Sequence, residues 1–401
     1  MTDRKLLASI FLIVFIDLLG FSLVLPLLPF YADTFGASPF VVGLLVAVYA
    51  LGQLIGAPVL GRLSDRFGRR PILLVSIGGT ILGFILLAVA DNIWVLFASR
   101  ILDGLTGGNI SVAQAYITDV SDAKNRGKAL GLVGAAFGLG FIIGPAAGGL
   151  LSQWGFMVPA LVAAALASIN WVLVLLWLPE SLTAERRAAI QKQQRPAFSF
   201  SALLEALRRP YVGELLHTRF FFGLAFATFQ TIFALYAQYR FGLNSTSVGY
   251  ILAYVGVLSV ITQGFLIGRF TQRFNDTTLI TGALGIMALS LLAWAFAPSV
   301  ILLLVILIPT AVSGGLLNTV LNSATTKAVE PVEVGGILGL SASLESLTRV
   351  IAPSLGGLQL EKLGTWAPGV ISSLLLVWLT WYVFRRICCM DRVVKEVPPQ
   401  A

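Results

Sequence analysis

The chain has 401 residues, of which 57% are hydrophobic and only 11% charged, and its mean hydropathy is +0.89. That is far too apolar for water-soluble globular domains and describes an all-α polytopic membrane protein. The formal charge of +8 sits in short loops between apolar runs rather than along one face, which argues against a nucleic-acid partner and for orientation in a bilayer.

A crossing helix needs about 20 apolar residues. Twelve stretches qualify, near residues 6–30, 40–60, 72–90, 93–118, 129–151, 157–178, 214–238, 246–267, 278–297, 299–322, 335–357 and 366–386. The first follows Arg4 and Lys5, is too long for a signal-peptide core and lacks a small-residue cleavage site, so it reads as a retained span. Asp17 lies near its middle. A charge there costs about 2.5–3.5 kcal/mol on insertion scales, and the reasons open to it are proton carriage or a hydrogen bond inside the packing.

Between the second and third spans runs GRLSDRFGRRP, Gly61 to Pro71, with Arg62, Arg66, Arg69 and Arg70 around Asp65 and with Gly68 at the turn. Arginine-dense short loops stay cytoplasmic. Topology alone needs only the positive charges, so Asp65 reads as part of an ion-pair network with Arg69 or Arg70. It also reads as a cap on the N-terminus of a neighbouring helix, which together would make a latch. In the fourth span Arg100 and Asp103 stand three apart on one helix face, a local salt bridge or a coupling site. Gly104, Gly107 and Gly108, then Gly131, Gly134, Gly138, Gly140, Gly144, Gly148 and Gly149 in the fifth span, remove side chains where helices approach closely. Pro145 kinks that fifth helix.

Residues 180–213 turn polar and basic, a cytoplasmic linker between a six-span half at 1–179 and a second at 214–387, with a tail at 388–401. Within the linker, AERRAAIQKQQ and SALLEALRR read as short interfacial helices, and no soluble catalytic domain fits. The halves repeat. GRLSDRF from Gly61 returns as GRFTQRF from Gly268, Gly107-Gly108 as Gly314-Gly315, and Pro145-x-x-Gly148-Gly149 as Pro353-x-x-Gly356-Gly357, at offsets of 207, 207 and 208. Parallel six-span halves are a transporter layout. The repeat breaks where Asp65 becomes Gln272. In the eleventh span Glu345 and Arg349 stand at i, i+4, placed to bind a charged substrate, to couple protons or to neutralise each other. Gln53, Asn109, Gln114, Tyr116, Gln230, Tyr236, Gln263, Asn318 and Asn322 are candidates for lining a cavity, about half of them for touching substrate and the rest for joining helices. His217, the only histidine, reads as an interfacial residue, and Cys388 and Cys389 as inert thiols, with lipidation the alternative. No metal spacing, phosphate loop or nucleophile elbow appears. The loops assigned to the outer side carry only Arg240 and Lys362 of the 27 lysines and arginines, so both termini are expected in the cytoplasm.

These residues resemble the major facilitator superfamily, and within it the twelve-span drug:proton antiporters that include the bacterial tetracycline exporters. GRLSDRFGRRP is similar to the superfamily's signature loop, which implies gating roles for Gly61, Asp65, Arg66, Gly68, Arg69 and Arg70. Asp17 in FIDLLGFSLVLPLLPF resembles the first-helix acid. RILDGLTGG resembles the fourth-helix arginine motif, with Arg100, Gly104 and Gly108. GFIIGPAAGG resembles the antiporter signature, with Gly140, Gly144, Pro145, Gly148 and Gly149. YALGQLIGAP and FALYAQYRFGLNSTSVGY extend the likeness. The sequence departs from the tetracycline group in the ninth span, LITGALGIMALSLLAWAF, which has no acid, and in the eighth, which offers Ser259 where that group has a histidine. The resemblance implies a monomeric, non-enzymatic secondary transporter in the cell membrane, exporting a lipophilic or amphiphilic small molecule against protons and needing no cofactor beyond the proton gradient. Asp17, Asp103 and Glu345 are then the proton-coupling candidates. Gln53, Asn109, Gln114, Gln230, Tyr236, Asn318, Asn322, Glu345 and Arg349 are the substrate-binding ones. Two alternatives stand beside it: a proton-coupled uptake carrier for a metabolite or organic anion, and a non-transporting receptor or scaffold.

Overall fold

Backbone polar groups inside hydrocarbon have no water to bond, so a spanning chain must satisfy them within each segment. The computed structural model describes residues 3–121, 126–183, 185, 187, 200–330 and 333–396, and they are built from helices. In the first part of the chain these are α1 (Asp3–Val24), a 3-10 turn, α2 (Leu28–Asp33), α3 (Pro39–Phe67), α4 (Arg69–Ala88), α5 (Ile93–Thr106), α6 (Asn109–Val120), α7 (Arg126–Leu151) and α8 (Met157–Trp177). The remainder gives α9 (Phe200–Arg208), α10 (Val212–Phe241), α11 (Ser245–Ile261), α12 (Ile267–Arg273), α13 (Asp276–Ala295), α14 (Val300–Lys327), α15 (Val334–Leu363) and α16 (Ala367–Glu396). A π turn, Thr262–Leu266, joins α11 to α12 into one run.

Among the described residues eleven helical runs are long and apolar enough to cross a membrane. The remaining expected crossing, at 93–118, is present but discontinuous: α5 stops at Thr106 and α6 starts at Asn109, so the single helix read from the sequence is corrected to two. Two adjacent glycines weaken a helix, and here neighbours take over the bonds it gives up. Gln53 Nε2 donates to the Gly107 carbonyl at 3.3 Å, and the Ser76 hydroxyl is in hydrogen-bond contact with the Thr106 carbonyl.

The chain divides into two units, Met1–Arg195 with Gly242–Val257, and Pro196–Phe241 with Leu258–Ala401. In the first, α1 packs on α7 and α8, α4 on α5 and α8, and α3 on α5. In the second, α10 packs on α15 and α16, α13 on α14 and α16, and the π turn with α12 on α14. These are the same pairings shifted by six crossings, as the sequence repeat requires. The core of the first unit runs through Leu18, Ile77, Val112, Tyr116, Ala136 and Val174. In the second unit α9, the helix expected at SALLEALRR, buries Ala206 with Val212, Leu216, Ile337 and Leu344. Arg209 beside it forms a two-pronged pair with Glu333, 3.1 Å on each prong, which holds the Glu333 carboxyl below its ordinary range. Of the other expected linker helix, AERRAAIQKQQ, only Glu185 and Arg187 are described, and the side chains of Cys388 and Cys389 fall outside what is described.

The α7 glycines divide by position. At Gly144 an added Cβ would lie 2.8 Å from Ser22 Cβ and 2.9 Å from the Leu23 nitrogen, and Ser22 Oγ donates to the Gly140 carbonyl at 2.8 Å. Only hydrogen fits there. Gly131 and Gly134 instead face open space, so their expected packing role is not found. At the far end of α7 the start of α11, in the same unit, closes on the Pro145 to Gly149 segment. Thr246 Oγ1 donates to the Gly149 carbonyl at 2.7 Å, and Ser152 Oγ and Ser245 Oγ lie 2.7 Å apart. An oxygen pair that close is near the reach of a disulfide, whose sulfurs sit about 2.05 Å apart. In a Cys388→Ser, Cys389→Ser background, Ser152→Cys with Ser245→Cys is therefore expected to cross-link under mild oxidant. The check is a gel shift reversed by reductant, and failure to cross-link would show that this seam is not populated in the membrane.

Candidate functional site

The turn after α3 is set by one residue. Gly68 has φ +107°, donates to the Ser64 carbonyl at 3.0 Å, and hands the chain directly to α4. A Cβ at Gly68 would lie 2.9 Å from Glu180 Cδ, so backbone conformation and space both require glycine. The turn drives Arg69 inward until it is only 4% exposed. Its guanidinium meets Asp65 at 2.7 Å, Asp119 at 3.0 Å and the Ser64 hydroxyl at 2.6 Å, and Asp119 also accepts from Ser181 Oγ at 3.2 Å. One arginine thus joins the ends of α3, α4 and α6.

The anion that caps α4 is Glu180, not Asp65 as the sequence suggested. Glu180 accepts from the backbone nitrogens of Arg69 at 2.9 Å, Arg70 at 3.1 Å and Leu182 at 3.1 Å. The first two are among the donors that a helix leaves unbonded at its start, where the dipole also favours a carboxylate. Asp65 follows the helix instead and reaches Arg69 one turn on. Arg70 donates to the Leu175 carbonyl at 2.5 Å, whereas Arg62 and Arg66 are exposed and Arg66 lies over the Phe67 ring.

Deeper in the first unit, polar groups gather around the break between α5 and α6. Asn109, the first residue of α6 and 8% exposed, donates through Nδ2 to Asp17 Oδ1 at 2.7 Å, and its oxygen contacts the Ser76 hydroxyl. Arg100 and Asp103 are 2% and 3% exposed and pair at 3.1 Å. The Arg100 guanidinium also lies between the Tyr49 and Phe84 rings, 5.9 and 5.8 Å from their centroids. The two acids are therefore held differently: Asp103 by a cation, Asp17 by a neutral amide. Gln53 bonds the break itself and approaches the Tyr49 hydroxyl. Gly104 sits where a side chain would strike the Tyr49 backbone, and Gly108 where one would strike Leu60.

The second unit carries a three-membered cluster. Glu345 on α15 accepts from Arg349 at 2.7 Å and from Arg219 on α10 at 2.6 Å, and Arg219 also donates to the Asn318 carbonyl at 3.3 Å. Arg219 is 7% exposed, while 61% of the Arg349 side chain is open. Of the other lining candidates, Gln114, Gln230, Gln263 and Asn322 are exposed, and Asn318 bonds the Gly314 carbonyl within α14. The tyrosines are packing residues. Tyr236 is fully buried, its hydroxyl donating to the Trp294 carbonyl at 2.5 Å, and Tyr116 donates to the Pro179 carbonyl at 2.8 Å. His217 turns back on its own helix, to the Gly213 carbonyl at 2.6 Å.

The model of the Major Facilitator Superfamily matches residues 10–353 and 220–387. The chain belongs to that superfamily. Tetracycline resistance protein, class H, of Pasteurella multocida is 35% identical over 88% of this chain and 88% of its own. The class C protein of Escherichia coli is 35% identical over 84% and 85%. Among solved structures, a bacterial homolog to the human lysosomal transporter Spinster, inward-facing and occupied, superposes with a TM-score of 0.80 over 99% of both chains at 15% identity. The fold is thus the major facilitator fold of about twelve membrane helices in two six-helix halves, and relatives and fold are those of transporters rather than enzymes.

Sequence reasoning passed over Glu180, Asp119, Ser76 and Arg219. Arg219 had a signal, an arginine inside an apolar span, whereas Glu180 read as an ordinary linker charge. Because Glu180 caps two amides with a full charge, Glu180→Ala is expected to cost about 1–2 kcal/mol. Hydrogen exchange at the Arg69 and Arg70 amides should rise and the thermal midpoint in detergent fall. Unchanged exchange at those two amides would mean that the cap is not formed in solution.

Proposed function

We propose that this superfamily member is a proton-coupled antiporter that exports a lipophilic or amphiphilic small molecule by alternating access. The observation that carries the reading is Asp17: a carboxylate within a membrane helix whose bond among the described residues comes from a neutral amide, beside a discontinuous helix. A charge so placed is costly. Protonation removes the charge, and no ion pair has to be broken first, as it would at Asp103. Irregular backbone at membrane depth is a recurrent feature of transporter binding sites. The relatives named tetracycline resistance proteins support export of a drug-like molecule.

In the mechanism, protonation of Asp17 from outside loosens its bond to Asn109 and with it the α5–α6 junction that Ser76 and Asn109 hold. The signature-loop network around Arg69 and the seam between α7 and α11 act as two latches at opposite ends of α7. One opens as the other closes. On this reading the protein sits in a cell membrane with both termini on the cytoplasmic side, the orientation that the basic loops favour, and the transporter works as a monomer on substrate and protons with no further cofactor.

The test is proton flux in sealed vesicles of purified protein with a pH dye inside, while cationic, neutral and anionic compounds are added. Compound-driven proton movement in the sense of exchange, abolished in Asp17→Asn with compound binding retained, is the expected result. Movement of proton and compound in the same direction would make the chain an uptake carrier. Binding without any proton movement would make it a receptor.

A further inference from the structure

We infer that the Arg219, Glu345 and Arg349 cluster is a subsite for the anionic group of the substrate, a carboxylate or comparable oxyanion on a lipophilic body. This deepens the transporter reading above and rests on it. The cluster keeps one net positive charge, since a single carboxylate faces two guanidinium groups. Arg349 stands near the middle of α15, Val334–Leu363, and its open guanidinium is drawn back one turn to Glu345, still well inside the span. A charge at that depth cannot lie against acyl chains, so it faces water-filled space. The face it shares is mostly small or polar: Gly335, Gly339, Ala342 and Ser346 precede it at helical spacing, open or half-open, with Leu338 the exposed apolar residue among them, while the exposed leucines at 347, 355 and 358 lie off that face.

The geometry divides the labour between the two arginines. Arg219 is buried and bonded to Asn318 and Glu345, so it fixes the carboxylate in place. Glu345 in turn holds Arg349 through one terminal nitrogen. A guanidinium has five N–H donors in a planar fork, and Arg349, held at one corner and open elsewhere, presents the rest for a two-pronged bond to an oxyanion. Among the described residues of this unit, a cationic substrate would find no mid-span carboxylate that is not already shared: the ninth span has no acid, and Glu345 is bonded by two cations.

The test uses pyrenebutyrate, its amide, and a pyrenebutyl-trimethylammonium of the same length. Binding is read by fluorescence polarisation on the purified full-length protein, and transport in proteoliposomes under an imposed pH gradient. The carboxylate should bind most tightly. Arg349→Gln should weaken its binding about tenfold and leave the amide unchanged, with Arg349→Lys between, because lysine keeps the charge but loses the fork. An inside-negative potassium diffusion potential should speed outward movement of the carboxylate. Equal binding of carboxylate and ammonium probes overturns the subsite, as does unchanged carboxylate binding in an Arg349→Gln protein that still elutes as a single species. If the carboxylate binds through Arg349 yet no probe moves protons, the subsite stands and the antiport reading falls.

Discussion

Every charge within the spans must find its partner inside the protein, because hydrocarbon supplies none. That constraint accounts for the arrangement of the carboxylates. Asp65 and Asp119 share Arg69, Asp103 has Arg100, Glu345 has two arginines, and Asp17 has the amide of Asn109. The pairs differ in what removing the negative charge would do. At Asp103 it would leave Arg100 buried without a counter-charge, which is costly. At Asp17 it leaves a neutral group beside a neutral group. The acid that can change charge at small cost is therefore the one without a cation, and it touches the break in the fourth crossing.

The same constraint applies to the backbone at that break. Gly107 and Gly108 interrupt a membrane helix, and the carbonyls of Gly107 and Thr106 are taken by Gln53 and Ser76, from the second and third crossings. Asn109 then joins Ser76 to Asp17. Side chains from four crossings thus meet within a few residues of one discontinuity. A shift in any of these bonds is felt by the others, because Ser76 and Asn109 take part in more than one of them. The signature loop follows the same logic at the membrane edge, where Arg69 and the Glu180 cap tie α3, α4 and α6 to the start of the linker.

Much of this was legible in the sequence. Hydropathy marks twelve crossings because each must be apolar over its length, and the repeated landmarks at offsets of 207 and 208 mark the halves because both use the same helix pairings. What hydropathy cannot supply is rotation. A helix apolar on all sides carries no stripe to say which face is buried, so Tyr236, fully enclosed, and Gln230, exposed, looked equivalent. The break at Gly107 was hidden for a related reason, since paired glycines in a membrane helix serve close packing as readily as interruption. Arg219 lies near the start of the seventh span, where the long stem of an arginine can also carry its charge to the interface. Its partners Asn318 and Glu345 lie 99 and 126 residues away, and no local pattern announces them.

Charge also decides how such a transporter would be driven. If a cation leaves while one proton enters, no net charge crosses, and only the pH difference does work. If an anion leaves while one proton enters, two charges move in the direction that an inside-negative potential favours. At about 2.3 kcal/mol per charge per 100 mV, that is about 4.6 kcal/mol per cycle from the potential alone, or roughly three orders of magnitude in concentration. On the proposed reading, a second half whose described mid-span carboxylate, Glu345, faces two arginines, and a first half whose Asp17 is bonded to a neutral amide, would together use this. The Arg349 cluster would bind the charge that the potential expels, and Asp17 would take the proton that it draws in.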